Sequence, residues 1–374
     1  MVKKLRQRST KKILFNPLTE KNPEAKCRGR FCAEILNPSL QQLYLENRDL
    51  INNLVKHNQL EREYIRNQGT QNERYLYHQL ARIFKQEIFT ARAKLGEEYI
   101  SNNQDSLVNA QMEITAGIAI TSLRGYPPFE AALAEAEKII TARKDNELPS
   151  KGSLDFLASS KKDFALNSAI TQLALDPNLI IPITKYFGFL PIVFGFDINR
   201  AKSKKLLNWS SHLYHLDPED IQQIKVFIYL SDVDENSGPF TALPADKSRL
   251  VTEQLHYTIG RLKDQEVDKI VGKGQEKVCL GAKGTVVFCD TNSCLHYGGR
   301  IKEKERYVLT IYYALPTSTW FPLFPGDGER RNLTPLLSNV TDTLLEKALL
   351  GDELLLPEER ALSRYEQLQQ LVNG

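Results

Sequence analysis

The sequence predicts an α+β protein in which an antiparallel barrel or sandwich of strands is flanked by helices. Two observations carry this prediction. Apolar residues recur at helical spacing in residues 37–143, and short strand-like runs follow between Ile192 and Tyr313. Because no helices alternate with those strands, an antiparallel barrel or sandwich is favoured over a doubly wound parallel sheet.

The 374 residues divide into four parts by composition. Residues 1–36 form a basic segment that is expected to be a flexible, solvated tail, with contact to an acidic surface or nucleic acid as the alternative. Residues 37–150 form a helical region, residues 151–325 the β domain, and residues 326–374 a C-terminal helical extension. The polar stretch Lys144–Ser153 marks the boundary before the β domain. The basic residues at the start are Lys3, Lys4, Arg6, Arg8, Lys11 and Lys12.

The helical region carries two apolar stripes and one helix that begins after prolines. Pro127 and Pro128 precede the alanine-rich segment Phe129–Arg143, as expected for proline at a helix start. We expect the apolar faces to be buried on the β core, with a homodimer interface between the N-terminal helices as the alternative. The stripes consist of Leu40, Leu43, Leu50, Ile51, Leu54 and Val55, and of Leu76, Leu80, Ile83, Phe84 and Ile88.

The β domain contains short runs that are rich in β-branched and aromatic residues. A polar insertion, Lys247–Gly274, interrupts them and is expected to lie over the mouth of the domain as a lid. Two helices are predicted after the domain, at Thr341–Leu350 and Glu358–Val372. The predicted strands are Ile192–Phe196, Lys225–Leu230, Lys277–Leu280, Thr285–Cys289 and Arg306–Tyr313.

Charge and composition argue against several classes of protein. The net charge of +3 is too small to indicate a nucleic-acid partner, and no apolar run is long enough to cross a bilayer. The basic start lacks the apolar stretch of a signal peptide, and five cysteines, an odd number, fit a reducing compartment. We therefore expect a cytoplasmic location. The sequence also lacks a glycine-rich phosphate-binding loop of the Walker or dinucleotide kind.

Three residues predict a metal site. His215 and Asp217 are separated by one residue, so on a strand both side chains point to the same face, and His296 follows the strand-like run Thr285–Cys289. Two histidines and one carboxylate on one face of an iron leave positions open for a bidentate 2-oxo acid and dioxygen. The alternative is a polar sheet surface whose histidines only form hydrogen bonds. A zinc site at Cys289, Cys294 and His296 lacks a fourth ligand and is disfavoured.

Arg306 opens the last strand-like run, so a hairpin after His296 would bring its guanidinium back toward the metal. A 2-oxo diacid that chelates iron leaves its distal carboxylate buried, and an arginine can hold that group with two parallel hydrogen bonds. Arg300 is the rival for this role, but it lies in the glycine-rich turn. A strand is the more rigid platform, which favours Arg306.

In the order of these segments, residues 161–315 resemble the phytanoyl-CoA dioxygenase family of Fe(II)/2-oxoglutarate oxygenases. The resemblance includes a helical lead-in ending at Gly188, the His215-x-Asp217 segment, and a strand with an acidic turn, Ile228–Phe240. It continues with the run Gly284–Asp290, followed by His296 and Arg306.

The resemblance implies a double-stranded β-helix (jelly roll), Fe(II) as the metal and 2-oxoglutarate as co-substrate. The implied reaction hydroxylates a small or carrier-linked substrate with O2, and 2-oxoglutarate is converted to succinate and CO2. Family members that halogenate have a small residue in place of the carboxylate, so Asp217 disfavours halogenation.

The sequence departs from the family pattern at two places. Residues Pro244–Ser248 stand where Pro-Gly-Ser-His is frequent, and Gly298 stands where a hydroxyl residue often helps to hold the co-substrate. Tyr229 or Thr310 could supply that hydroxyl, although either could equally be a packing residue.

Two other function classes stay open on the sequence. One is a jelly-roll metalloenzyme that does not use 2-oxoglutarate. Arg306 distinguishes the two classes, because only the 2-oxoglutarate oxygenase needs a buried arginine to hold a carboxylate. The other is a non-catalytic binding protein with a vestigial metal site, against which the intact set of His215, Asp217 and His296 argues.

Overall fold

A computed structural model describes residues 39–151, 154–160, 162–202, 211–321, 323, 349 and 359–374. The basic segment predicted for residues 1–36 lies outside the described residues, as does the helix predicted at Thr341–Leu350 apart from Leu349. Within the described part of the chain, no helix combines the length and the apolar character that crossing a membrane requires.

Several helices begin or end at residues that satisfy free backbone groups. Thr70 accepts a hydrogen bond from the Glu73 amide, and the Glu73 carboxylate accepts one from the Thr70 amide. Gly188 ends another helix with a positive φ of 75°, which glycine adopts without strain. The helices are α1 (Leu40–Glu46), α2 (Arg48–Lys56), α3 (Arg62–Asn67), α4 (Gln71–Phe84), α5 (Gln86–Asn103), α6 (Pro127–Arg143), α7 (Ala169–Ala174), α8 (Pro177–Phe187), α9 (Ala245–Gln254), α10 (Asp264–Val271) and α11 (Glu359–Asn373).

Two antiparallel sheets form the β part. The strands are β1 (Ile118–Ser122), β2 (Ser150–Lys151), β3 (Leu154–Ser159), β4 (Ile192–Ala201), β5 (Gln223–Tyr229), β6 (Thr241–Ala242), β7 (Lys277–Val278), β8 (Thr285–Asp290), β9 (His296–Tyr297) and β10 (Arg306–Ala314). The large sheet has the strand order β1-β8-β5-β10-β4-β3-β2, and the small sheet has the order β7-β6-β9. The five predicted strands are present, with boundaries that differ by a few residues, and the predicted antiparallel arrangement is confirmed.

The large sheet has two chemically different faces. On β10, Leu309 and Ile311 belong to the main apolar cluster, which also contains residues of α5, α6, α7 and α8. Val308 points the other way, into a cluster shared with Phe240 beside the small sheet. The Phe227 and Phe240 rings, 4.3 Å apart between centroids, join the two sheets. The face toward the small sheet is therefore the one available for a site.

The region from residue 37 to residue 150 was predicted to be helical, but it also contains strand β1. Ile118 pairs with Cys289 and Ser122 with Thr285, so β1 adds a strand to the edge of the large sheet beside β8. The run Ile118–Ser122 has only five residues, and periodicity over so short a segment does not identify a strand. The boundary proposed at residue 150 stays a prediction.

The apolar stripes of the first helices pack differently from the expectation. Helices α1 to α4 bury most of their stripe residues against one another and against Leu368 of α11, in a cluster separate from the sheet. Only the later helices reach the β core, for example through Phe89 of α5 and Phe129 of α6. The expectation of packing on the β core is therefore wrong for α1 to α4, because a C-terminal helix covers them instead.

Leu368→Ala is expected to lower the free energy of unfolding by about 3 kcal/mol, because Leu368 is fully buried and its truncation leaves a cavity. Urea unfolding followed by circular dichroism measures the change. The exposed neighbour Gln367 provides the control, since Gln367→Ala should have little effect. A loss below about 1 kcal/mol for Leu368→Ala would contradict the packing of α11 on the N-terminal helices.

Candidate metal centre

His215 and His296 face each other across a short antiparallel bridge. The His215 amide donates to the His296 carbonyl at 3.1 Å, and the His296 amide donates back to the His215 carbonyl at 3.0 Å. Directly opposite residues of an antiparallel pair place their side chains on the same face. The two imidazole rings accordingly lie 4.3 Å apart between centroids.

Asp217 completes the group. Its amide donates to the Thr291 carbonyl at 2.9 Å, and its carbonyl accepts the Asn292 side-chain amide at 2.7 Å, so the backbone around it is fixed. One ligand atom from each of His215, Asp217 and His296 lies within 4.8 Å of the others. The segment is held by isolated bridges rather than by a regular strand, which differs from the expectation for residues 215–217.

In both histidines, Nδ1 contacts a backbone carbonyl oxygen, which leaves Nε2 for the metal group. The Nδ1 atoms lie 2.9 Å and 3.0 Å from the carbonyl oxygens of Leu213 and Cys294, respectively. Because a carbonyl oxygen only accepts, each Nδ1 must carry the proton, and each Nε2 keeps a free lone pair. A backbone partner of this kind is what usually orients a metal-binding histidine.

The electrostatics keep the histidines neutral and the carboxylate charged. Burial and the neighbouring His296 lower the pKa of His215 to about 3, and burial also lowers the pKa of His296. Burial opposes ionisation of Asp217, but the charge of Lys225 outweighs it and lowers the pKa of Asp217. Neutral imidazoles and an ionised carboxylate are the forms that bind metal ions.

The geometry fits a divalent ion after a small contraction. Ligand atoms at right angles around one ion, with bonds of about 2.1 Å, lie about 3 Å apart. Asp217 Oδ2 and His296 Nε2 are 3.8 Å apart. Two imidazoles and one carboxylate are the ligand set of mononuclear ferrous oxygenases, so these residues suit Fe(II).

Arg306, at the start of β10, is buried with its charge unpaired among the described residues. Its Nε and Nη1 atoms are shielded from solvent and have no hydrogen-bond partner there. Burial lowers the pKa of Arg306, and Tyr229 and Cys279 counteract this. A buried guanidinium is costly unless an anion joins it.

The position of Arg306 relative to His296 is defined through Gly298. A Cβ atom on Gly298 would lie 3.5 Å from Arg306 Nη2. Gly298 follows His296 by two residues, about 7 Å along an extended chain. The Arg306 guanidinium thus lies beside the chain segment that carries His296.

Tyr229 and Thr310 lie on the same face of the large sheet as Arg306. Tyr229 pairs with Val308 and Thr310 with Phe227, so all of them point toward the small sheet. The Tyr229 hydroxyl donates to the Cys279 carbonyl at 2.5 Å, and the residue is buried. Its oxygen can still accept a hydrogen bond.

Arg300, the rival of Arg306, already has partners. Its two terminal nitrogens each donate to the Asp264 carboxylate at 2.7 Å, and its Nε donates to the His212 carbonyl at 2.7 Å. The guanidinium also stacks on the Tyr297 ring. The contrast with Arg306 supports the choice made from the sequence.

Lys225 is a residue of the site that the sequence analysis missed. Its Nζ lies 2.6 Å from Asp217 Oδ2 and 5.3 Å from the centre of the Tyr312 ring. Lys225 alternates with Phe227 and Tyr229 along β5, so it points to the same face. The signal in the sequence was a lysine within a mostly apolar strand, on the face that carries the site.

The insertion predicted as a lid folds into α9 and α10. Leu262, between these helices, forms an isolated bridge with Tyr214, and the Tyr257 hydroxyl accepts the Leu216 amide at 3.3 Å. Tyr257, Leu262 and Val267 share an apolar cluster with Tyr214. The insertion thus packs on the segment that carries His215, while its opening as a lid stays a prediction.

The cysteines near His296 do not join the metal group. Cys289 and Cys294 are buried in the apolar cluster between the sheets, and neither forms a disulfide. Burial and the Cys294 thiol raise the pKa of Cys289 well above its usual value. A buried Cys289 thiol that retains its proton disfavours a zinc site there.

No family model and no curated protein matches this sequence. Among solved structures, EctD from S. alaskensis with bound Fe is similar at a TM-score of 0.41 and 15% identity, over 61% of this chain and 82% of that chain. HygX from Streptomyces hygroscopicus, with nickel, 2-oxoglutarate and hygromycin B bound, is similar at a TM-score of 0.37 and 15% identity, over 53% and 82% of the two chains. The non-heme alpha ketoglutarate dependent epimerase SnoN is similar at a TM-score of 0.36 and 15% identity, over 53% and 77% of the two chains.

Proposed function

We propose that this protein is a mononuclear Fe(II)/2-oxoglutarate-dependent dioxygenase that acts on a small or carrier-linked organic molecule. One observation carries the proposal: Arg306, a buried guanidinium with two nitrogens unpaired in the described chain, lies beside Gly298, two residues after His296 of the group formed with His215 and Asp217. A metal site alone does not require such a cation. A metal site that binds a diacid through its 2-oxo acid end does.

In this proposal His215, Asp217 and His296 hold the iron through His Nε2 atoms and the carboxylate. Bound there, iron supplies the activation of dioxygen for oxidation of a C–H bond. One oxygen atom enters the substrate and the other enters succinate, which leaves with CO2. Halogenating members of the family that this chain resembles have a small residue where Asp217 stands, so the carboxylate favours hydroxylation or a related oxidation over halogenation.

Arg306 binds the distal carboxylate of 2-oxoglutarate with two parallel hydrogen bonds. Tyr229 and Thr310 lie on the same face of the sheet, and we assign Thr310 as the hydroxyl donor to the co-substrate, since Gly298 stands where the family often has a hydroxyl residue. Tyr229 could take this role only by giving up its hydrogen bond to the Cys279 carbonyl. The absence of a side chain at Gly298 leaves room beside Arg306 Nη2.

The proposed fold is a jelly roll of the phytanoyl-CoA dioxygenase type. The two packed antiparallel sheets and the ordered motifs from His215 to Arg306 support this assignment. The catalytic domain is placed at residues 151–325, with helical regions at 37–150 and 326–374. Strand β1 is the part of the N-terminal region that joins the sheet.

Binding of 2-oxoglutarate to the metal-loaded protein tests the proposal. Calorimetry without oxygen, with Mn(II) in place of iron, should show 2-oxoglutarate binding that depends on the metal. Under air with Fe(II), succinate should then form from 2-oxoglutarate. Metal binding without affinity for 2-oxoglutarate would instead indicate a metalloenzyme of another kind, and failure to bind any divalent metal would indicate a binding protein.

A further inference from the structure

Three aromatic side chains form a row on the face of the large sheet that carries the metal group. Tyr312 pairs with Lys225 of β5, the residue that contacts Asp217, and therefore points to the same face. The Phe194 ring follows at 5.5 Å from the Tyr312 ring, and the Trp320 ring lies 5.7 Å beyond Phe194, both measured between centroids. The aromatic row thus starts beside the metal group.

A β-bulge in β4 places Phe194 in the aromatic row. Gly195 pairs with Tyr312 of β10, and the next pair along the two strands is Val193 with Tyr313. Phe194 is the extra residue between these pairs, and a bulge of this kind re-aims one side chain. All three rings of the row are half-buried, so a ligand can reach them.

Arg66 of α3 lies at the far end of the aromatic row. Its guanidinium carbon is 4.5 Å from the centre of the Trp320 ring, and Arg62 Nη1 of the same helix donates to the Trp320 carbonyl at 3.4 Å. The Arg66 side chain is half-buried, and its guanidinium forms no hydrogen bond or ion pair within the described part of the chain. Stacking uses the face of a guanidinium and leaves the N–H donors in its plane available. Arg66 is therefore a positioned cation that can bind an added anion.

The Trp320 end of the row is also attached to the segment that carries the metal ligands. The Thr319 amide donates to the Glu219 carbonyl at 2.7 Å, and the Thr319 hydroxyl donates to the same oxygen at 2.9 Å. Glu219 follows Asp217 by two residues, and Thr319 directly precedes Trp320. Both ends of the aromatic row are thus tied to the metal group, one through Lys225 and the other through Thr319.

We propose that the aromatic row binds the organic substrate and that Arg66 binds an anionic group of that substrate, a carboxylate or a phosphate. This inference rests on the proposed oxygenase function and adds the substrate class, an organic anion with an apolar or aromatic body. The rings supply contact area for the body, and a guanidinium donates two parallel hydrogen bonds to a carboxylate or a phosphate. Because Arg66 belongs to α3, the N-terminal helical region contributes to the substrate site.

Three naphthyl probes test the inference: 2-naphthoate, 2-naphthyl phosphate and the uncharged 2-naphthylmethanol. Calorimetry without oxygen measures their binding to the protein loaded with Mn(II) and saturated with 2-oxoglutarate, which keeps the probes away from Arg306. At least one anion should bind more tightly than the alcohol, and the tighter anion shows whether the site prefers a carboxylate or a phosphate. Arg66→Gln should weaken binding of that anion by at least about tenfold, the scale of lost hydrogen bonds to a charged group, and should hardly change binding of the alcohol.

Arg48→Gln, at an exposed arginine of α2, is the matched control and should bind every probe as the wild type does. Arg66→Lys should be intermediate for the preferred anion, because it keeps the charge and loses the parallel donors. Phe194→Leu removes one ring of the row and should weaken binding of the anions and of the alcohol alike. Thermal unfolding shows whether each variant is folded, and if Phe194→Leu is not, the two Arg66 variants decide.

The inference is overturned if neither anion binds the wild type more tightly than the alcohol does. Equal affinity of Arg66→Gln and Arg48→Gln for the preferred anion also overturns it. In both cases the proposed function stands, provided that Mn(II) and 2-oxoglutarate bind. A wild type that fails to bind Mn(II) or 2-oxoglutarate contradicts the proposed function itself, and the substrate site falls with it.

Discussion

Asp217→Ala is expected to raise the Kd for Mn(II) or Fe(II) by more than about 100-fold. Loss of a residue that only hydrogen-bonds to a metal ligand typically costs about 10- to 100-fold in affinity, and loss of a ligand itself should cost more. The substitution removes the only anionic member of the group formed with His215 and His296. Two neutral imidazoles alone give a weak site for a divalent ion. Protection of the protein by 2-oxoglutarate should be lost as well, since the co-substrate binds through the metal.

The same substitution leaves Lys225 buried without its present partner, so stability must be measured beside affinity. Asp217→Asn retains the shape of the side chain and should also lose metal binding. The double variant Asp217→Ala with Lys225→Met removes the stranded charge and should recover thermal stability without recovering metal binding. Asp246→Ala, at an exposed carboxylate on α9, is the control for general effects. Metal affinity within threefold of wild type in Asp217→Ala would show that this carboxylate is not a ligand.

Arg306→Ala is expected to weaken 2-oxoglutarate binding to the Mn(II)-loaded protein by at least about 100-fold, while Mn(II) affinity stays near that of the wild type. Truncating one partner of a desolvated, hydrogen-bonded charge pair costs about 2–5 kcal/mol. Arg306 is buried, and its Nε and Nη1 have no other partner in the described residues. Arg306→Lys should be intermediate, because it keeps the charge and loses the two parallel hydrogen bonds.

Arg300→Ala is the matched control for Arg306→Ala. Arg300 lies in the turn before β10, where it is held by Asp264 and stacked on Tyr297, so its loss should leave 2-oxoglutarate binding unchanged. Arg306→Met should be at least as stable to heat as the wild type. The variant has an apolar side chain in place of a buried charged one whose Nε and Nη1 have no hydrogen-bond partner among the described residues. Unchanged 2-oxoglutarate affinity in Arg306→Ala would remove this residue from its assigned role.

The strands that carry the site could be predicted because their signal is local. The run beginning at Arg306 and the run ending at Cys289 are rich in β-branched and aromatic residues, and both are strands in the structure. The spacing of His215 and Asp217 likewise predicted a shared face, and the structure brings both together with His296. In each case a few consecutive residues contain the whole signal.

Other features depend on contacts between distant segments and could not be predicted in that way. Strand β1 is identified by its pairing with β8, because five residues alone do not distinguish a strand. The burial of helices α1 to α4 depends on α11, which comes from the opposite end of the chain. The polar insertion was predicted as a lid, yet its helices are fixed by an apolar cluster with Tyr214 that no local pattern shows.

The sequence by itself determined the kinds of residue available to the site, their order and the strands that carry several of them, since side-chain chemistry and strand periodicity are local properties. Only the tertiary structure decided that Lys225 reaches Asp217, that Arg300 is already paired, and that Arg306 has two nitrogens without partners in the described chain. The physical reason is that the energy of a charge depends on what surrounds it in space. Those surroundings come from parts of the chain that are far apart in sequence.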